Sequence, residues 1–103
     1  MANLSLISIL MPVKNEECYL AECINSIISQ TETSWELLAV NDHSDDGTES
    51  ILKDYADKDN RIIVMNNEGN GIIDALRTAY KCSKGMLVTR MDADDIMDEQ
   101  KLE

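Results

Sequence analysis

Phenylalanine is absent from the 103 residues, and one tryptophan and three tyrosines supply all the aromatic surface. The interior must therefore be built from Ile, Leu, Val and Met. Basic residues are scarce: nine Lys and Arg stand against twenty Asp and Glu, a net charge of −11. Such a chain is repelled by nucleic-acid phosphates and by anionic lipid headgroups, so neither is a natural partner. Cys18, Cys23 and Cys82 make an odd count without a CxxC spacing. That argues against a disulfide framework or a zinc site and for three small buried or half-buried side chains in a reducing cytosol. No apolar run approaches the ~18 residues of a membrane span, and no signal peptide is expected. The one histidine, His43, joins no Ser/His/Asp triad and reads as a surface group or a support for a neighbour.

What is present is a regular alternation. Leu6 to Met11 is a short apolar run closed by Pro12, a buried strand in character. Asn15 is the expected N-cap of a first helix, with Glu16 and Glu17 in its first turn. Leu20, Ile24, Ile27 and Ile28 follow at helical spacing. Trp35 to Val40 is a second strand, ended by Asn41-Asp42 and the turn residues Ser44-Asp45-Asp46-Gly47. A second helix should start near Thr48 and turn Ile51, Leu52 and Tyr55 inward. Arg61 to Met65 is a third strand, and Asn66 to Gly71 a loop. Ile72, Ala75, Leu76, Ala79 and Tyr80 then mark one face of a third helix, which Lys84-Gly85 ends. Met86 to Met91 is a fourth strand. The order βαβαβαβ predicts an α/β domain over residues 1–103: three layers, α/β/α, around a mainly parallel sheet with right-handed crossovers.

Ligands bind such sheets outside the carboxyl ends of the strands. Three polar clusters fall there: Lys14-Asn15-Glu16 after strand one, Asn41 to Asp46 after strand two, and Asp92-Ala93-Asp94-Asp95 after strand four. The last repels itself. Two carboxylates about 5 Å apart cost roughly 3 kcal/mol at an effective dielectric near 20. A bound cation removes that cost, and carboxylates that keep some water suit Mg²⁺ or Mn²⁺, ions that usually bridge to substrate phosphates. The plain alternative is a solvated acidic loop that caps the next helix.

Other phosphate and metal motifs fail. There is no GxxxxGK[ST]. Gly69-Asn70-Gly71 lacks the third glycine of a dinucleotide fingerprint and follows the third strand instead of the first. Asp92, Asp94 and Glu103 match three positions of an EF-hand loop, but Ile96 and Met97 stand where a ligand and a glycine are required. A haloacid-type phosphatase needs DxDx[TV], which Asp92 to Ile96 does not complete. Arg77, on the third helix, is either solvated or a contact to phosphate or base.

Taken together, the residues resemble a known family. Ile7-Ser8-Ile9-Leu10-Met11-Pro12-Val13-Lys14-Asn15-Glu16-Glu17 resembles the opening of family 2 glycosyltransferases. Ser26 to Thr31 resembles the end of their first helix. Val40-Asn41-Asp42-His43-Ser44-Asp45-Asp46-Gly47-Thr48 resembles their V-[DN]-D-G-S-x-D-G-[TS] loop, and Arg90 to Asp95 their DxD segment. The four matches come in order and span essentially the whole chain. Lys14 departs from the usual Tyr or His, His43 from a common Gly, and Arg77 stands where an Asn is usual.

The resemblance implies the Rossmann-like half of a GT-A fold, acting on a UDP- or GDP-linked sugar with Mn²⁺ or Mg²⁺. It implies nucleotide contacts from Pro12, Val13, Glu16, Asp42, Arg77, Asp92 and Ala93. Glu16 and Asp92 would lie near the ribose and Asp42 at the base. Asp94, with Asp92, would hold the metal. The activity implied is inverting transfer to a saccharide or lipid-linked acceptor in cell-surface polysaccharide synthesis. Family members continue for a hundred or more residues after DxD, where the acceptor contacts and the general base lie. No residue here is a candidate for that base, so the chain is expected to be the donor-binding part of a longer enzyme. The alternative is a non-catalytic or self-associating nucleotide-binding module. The cytosol is the expected compartment, with a peripheral position at the inner membrane face left open for a longer protein.

Overall fold

Every residue of one strand, Trp35–Asn41, is buried, and in a second, Ile7–Val13, only Pro12 is even half exposed. Strands covered on both faces are the mark of a parallel sheet sandwiched between helices. The computed structural model, which describes residues 6–30, 34–85 and 87–93, has that architecture. Its elements are β1 (Ile7–Val13), α1 (Leu20–Ile28), β2 (Trp35–Asn41), α2 (Thr48–Lys58), β3 (Ile62–Asn66), α3 (Gly71–Cys82) and β4 (Leu87–Arg90). The strands lie in the order β3-β2-β1-β4, and every neighbouring pair is parallel. The expected three-layer α/β fold is therefore the observed one.

Alternation along the strands divides the core in two. Ile9, Met11, Val13, Leu37 and Ala39 meet Leu20, Ile24 and Ile27 of α1 and Leu52 of α2. Leu10, Leu38 and Val40 face the other way, onto Ala75 and Ala79 of α3. Each large aliphatic side chain so buried contributes about 1.5–3 kcal/mol. At the amino end of β2, Trp35 is covered by Arg61, whose guanidinium lies 3.9 Å from the ring centroid and is held by Asp59 at 2.7 Å.

Four local expectations need correction. Pro12 does not end the first strand; it lies within β1, opposite Val40. The β1–β4 register stops at Leu10–Arg90, and the Leu10 carbonyl accepts from Met91 N–H. The strand repeat puts the Pro12 nitrogen on that same side, one step past the last pair, where a missing N–H breaks no ladder bond. Asn15 is not an N-cap. It adopts a left-handed φ of 52°, and α1 begins only at Leu20 after a turn. On α3 the buried residues are Ala75, Thr78 and Ala79, whereas Ile72 and Tyr80 are 46% and 62% exposed. The small residues let the helix approach the sheet, and Ile72 and Tyr80 flank that contact. Finally, only Cys23 is buried; Cys18, in the turn before α1, and Cys82, the last residue of α3, are exposed.

Candidate functional site

The chain winds from β1 out to β3 and then, through α3, back across the sheet to β4 on the other side of β1. The strand order thus reverses between β1 and β4, which opens a crevice at the carboxyl edge. A cleft of about 540 Å³ lies at that edge. Its wall comprises Pro12, Val13, Lys14 and Glu16 from the end of β1, Asp42 from β2, Gly71 and Ile72 from the start of α3, and Asp92 and Ala93 after β4. Six of the residues expected to bind nucleotide, Pro12, Val13, Glu16, Asp42, Asp92 and Ala93, therefore share one surface.

Arg77 stands apart. It lines a separate, mostly apolar groove of about 440 Å³ between α3 and β4, with Leu10, Ile73, Leu76, Tyr80 and Val88. Asp94 and Asp95 lie outside the described residues, so the second carboxylate of the expected metal pair does too. Among the described residues no group of three His, Cys, Asp or Glu is placed to hold a metal ion. Asp92 offers an exposed carboxylate at the cleft, and its Oδ1 accepts from Arg90 at 3.1 Å.

The loops that carry these residues are braced against each other. Asn15 N–H donates to Ser44 Oγ at 3.0 Å, and Asp45 N–H returns a bond to Asn15 Oδ1 at 2.9 Å. Glu16 N–H donates to Thr48 Oγ1, Glu17 N–H to Asp46, and Gly47 N–H to Glu17. The polar run after β2 is thus split in role. Asp42 faces the cleft, while Ser44, Asp46, Gly47 and Thr48 tie the β2–α2 loop to the β1–α1 loop. Hydrogen bonding by Thr48 holds the Asp46 carboxyl below its ordinary value. His43, also at a left-handed φ of 56°, bridges from Nε2 to the Gly69 carbonyl at 2.8 Å. On the β4 side, Met91 extends the ladder to β1, and buried Cys23 of α1 brings its sulfur within 3.6 Å of the Asp92 carbonyl.

One important residue is absent from the sequence-derived set. Asn67, buried after β3, donates from Nδ2 to Asp42 Oδ1 at 2.9 Å and to the Gly71 carbonyl at 3.1 Å. Its own N–H continues the β2–β3 ladder to Asn41. The signal was available: Asn66-Asn67 is a polar pair at the carboxyl end of a parallel strand, the same position that marks the other three clusters. Lys14, Gly71 and Ile72 also line the cleft.

The fold and the cleft define a doubly wound α/β domain with a cleft at the switch point of its sheet. Comparison with known proteins names the family. The model of glycosyl transferase family 2 matches residues 8–103, and the chain belongs to that family. It is 37% identical over 99 residues to the E. coli UDP-Glc:alpha-D-GlcNAc-diphosphoundecaprenol beta-1,3-glucosyltransferase WfgD, covering 95% of this chain and 38% of WfgD. S. aureus TarS in complex with UDP superposes with a TM-score of 0.85 at 30% identity, over 93% of this chain and 29% of that one. The mannosyltransferase PcManGT of Pyrobaculum calidifontis, in complex with GDP-Man and Mn²⁺, gives 0.77 at 27% identity, over 85% and 27%. The chain spans between 11% and 41% of the length of such curated relatives. No helix among the described residues is long and apolar enough to cross a membrane.

Proposed function

We propose that the cleft binds the nucleoside diphosphate of a sugar donor, and that this chain is the donor-binding part of an inverting glycosyltransferase of cell-surface polysaccharide synthesis. One observation carries the reading. In a chain of this family, six residues expected to contact nucleotide meet on one cleft at the switch point of the sheet. Similar structures holding UDP or GDP-Man support it.

In this reading Pro12 and Val13 give an apolar wall to the nucleoside. Glu16 and Asp92 reach the ribose hydroxyls, and Asp42 accepts a hydrogen bond from the base. Hard carboxylate oxygens suit Mg²⁺ or Mn²⁺, so Asp92 together with Asp94 would hold the ion. A bound ion supplies charge neutralisation and Lewis acidity at the leaving diphosphate. Inversion also needs a base that takes the proton of the acceptor hydroxyl, a saccharide or lipid-linked alcohol, opposite the leaving group. The residues of this cleft serve the donor, and that base belongs to the acceptor side.

Titration calorimetry with UDP and GDP, with and without Mn²⁺, tests the proposal. Binding strengthened by Mn²⁺ and weakened in Asp92→Ala and Asp94→Ala is the expected result. Absence of binding to either nucleotide, or binding indifferent to Asp42→Ala and Asp92→Ala in folded variants, would overturn it.

A further inference from the structure

The peptide group between Gly69 and Asn70, just ahead of α3, is held at both ends. The Gly69 carbonyl accepts from His43 Nε2 at 2.8 Å. The Asn70 N–H, in the same peptide plane, donates to Asp74 Oδ2 at 3.1 Å. A carbonyl only accepts, so His43 carries its hydrogen on Nε2. Planarity makes the two bonds one constraint, because neither end of the group turns without the other. The chain then enters Gly71 and Ile72, the part of the cleft wall that α3 supplies. From within the fold Asn67 holds the same turn through the Gly71 carbonyl. The outer hold spans two loops, since His43 follows β2 and lies 26 residues from Gly69 in the chain.

His43 does little for stability. Its φ of 56° is left-handed, strained for a residue with a Cβ and free for glycine. The ring and its bond are exposed, and such a bond replaces one to water with little net gain. Strain and bond oppose each other, so the fold draws little from this side chain. What the bond supplies is order. Without it the Gly69–Asn70 plane keeps only its tether to Asp74, next to a residue that resists rotation least.

We infer that His43 is a positioning residue for the ligand of the cleft: it latches the β2–α2 loop onto the β3–α3 loop and presets the backbone of Gly71 and Ile72. This rests on the nucleotide-binding reading above. A wall that is already ordered removes the entropy cost of ordering it when the ligand arrives. Stability and affinity therefore respond to His43 in different directions, which a merely structural contact would not produce.

The test is titration calorimetry of the full chain with UDP and GDP in Mn²⁺, beside urea unfolding, for the parent, His43→Gly and His43→Gln. His43→Gly relieves the strain and removes the donor. It should unfold at the same urea concentration as the parent or a higher one. It should nevertheless bind the tighter of the two nucleotides roughly three- to ten-fold more weakly, the range of one net hydrogen bond. Gln places an amide N–H at a reach close to that of Nε2, so His43→Gln should recover most of the affinity with no gain in stability. Backbone amide NMR reads the latch without ligand: the Asn70, Gly71 and Ile72 resonances should move in His43→Gly and return toward the parent positions in His43→Gln. Equal affinity in His43→Gly and the parent, or a Gln variant as weak as the Gly variant, overturns the latch and leaves the nucleotide reading intact. So do Asn70 and Gly71 amides that stay in place in His43→Gly. Failure of the parent to bind either nucleotide overturns both.

Discussion

The hydroxyl of Ser8 in β1 donates a 2.6 Å hydrogen bond to Oε2 of Glu36 in β2, both residues buried at the end of the sheet away from the cleft. The same oxygen accepts from Lys84 N–H at 2.7 Å, and Ser8 Oγ accepts from Gly85 N–H at 2.8 Å. Two side chains therefore fix the connection that brings the chain from α3 into β4, and β4 carries Asp92. Glu36→Ala leaves the buried Ser8 hydroxyl without its acceptor, at about 1–3 kcal/mol, and frees the Lys84 N–H. Glu36→Gln keeps a carbonyl oxygen and should retain most of the stability. Urea unfolding of the two variants checks the order: parent, then Gln, then Ala.

Gly85 and Gly71 should resist substitution for opposite reasons. A Cβ on Gly85 would stand 2.7 Å from the Leu6 carbonyl, from Ser8 N and from Ser8 Oγ. Two of these are backbone atoms at the start of β1, Leu6 just before it and Ser8 within it, so the connection into β4 must shift; Gly85→Ala is expected to cost about 1–3 kcal/mol, the range of overpacked sites. Gly71 has open space around a Cβ but a φ of +85°, a region that costs an L-residue about 1–2 kcal/mol. Its N–H donates to Asp42, so Gly71→Ala should weaken nucleotide binding as well as stability. Thermal melts paired with UDP titrations separate the two: Gly85→Ala lowers Tm and leaves affinity in the folded fraction near the parent value, whereas Gly71→Ala lowers both.

The architecture was legible because alternation of short apolar runs with amphipathic segments has few solutions, and the order βαβαβαβ admits a parallel sheet readily. The cleft wall was legible for the same reason: Lys14, Glu16, Asp42 and Asp92 all follow strands. Sequence did not show how labour divides within a polar run. Asp42 and Asp46 are the same residue type four positions apart, yet one faces the cleft and the other braces a loop; that depends on the β1–α1 loop lying alongside, a contact between segments some thirty residues apart. Asn15 was misread because an Asn before a helix suits both a cap and a left-handed turn. Ile72 and Tyr80 were misread because periodicity gives a face, while the width of that face is set by how closely Ala75 and Ala79 let α3 approach the sheet.

Acid should weaken the fold through two carboxyls. Asp46 is held below its ordinary value by hydrogen bonding from Thr48, and Asp59 by its bond to Arg61. A carboxyl depressed in the folded state stabilises that state fully above its unfolded value, near 3.9, and loses the contribution as pH falls through the lower folded value. Stability should therefore be level with respect to these groups above about pH 5 and decline below about pH 4. Asp46→Asn and Asp59→Asn should be less stable than the parent at neutral pH and converge on it in acid. Denaturation curves at stepped pH check this, and parallel curves for parent and variants would count against it.

Lys14 is the cation on a cleft wall that also bears Glu16, Asp42 and Asp92. Its ammonium makes no hydrogen bond or ion pair among the described residues, so its charge is available to an anionic ligand. A diphosphate entering an otherwise acidic cleft benefits from it, and Lys14→Met, which keeps the stem and removes the charge, should weaken UDP binding roughly three- to ten-fold at low salt. Uridine, without phosphate, should lose little. Screening shrinks the difference between Lys14→Met and the parent as ionic strength rises toward about 0.5 M. A deficit that is equal for UDP and uridine and indifferent to salt would instead place Lys14 against the base, as a packing contact through its stem, and the charge argument would fall.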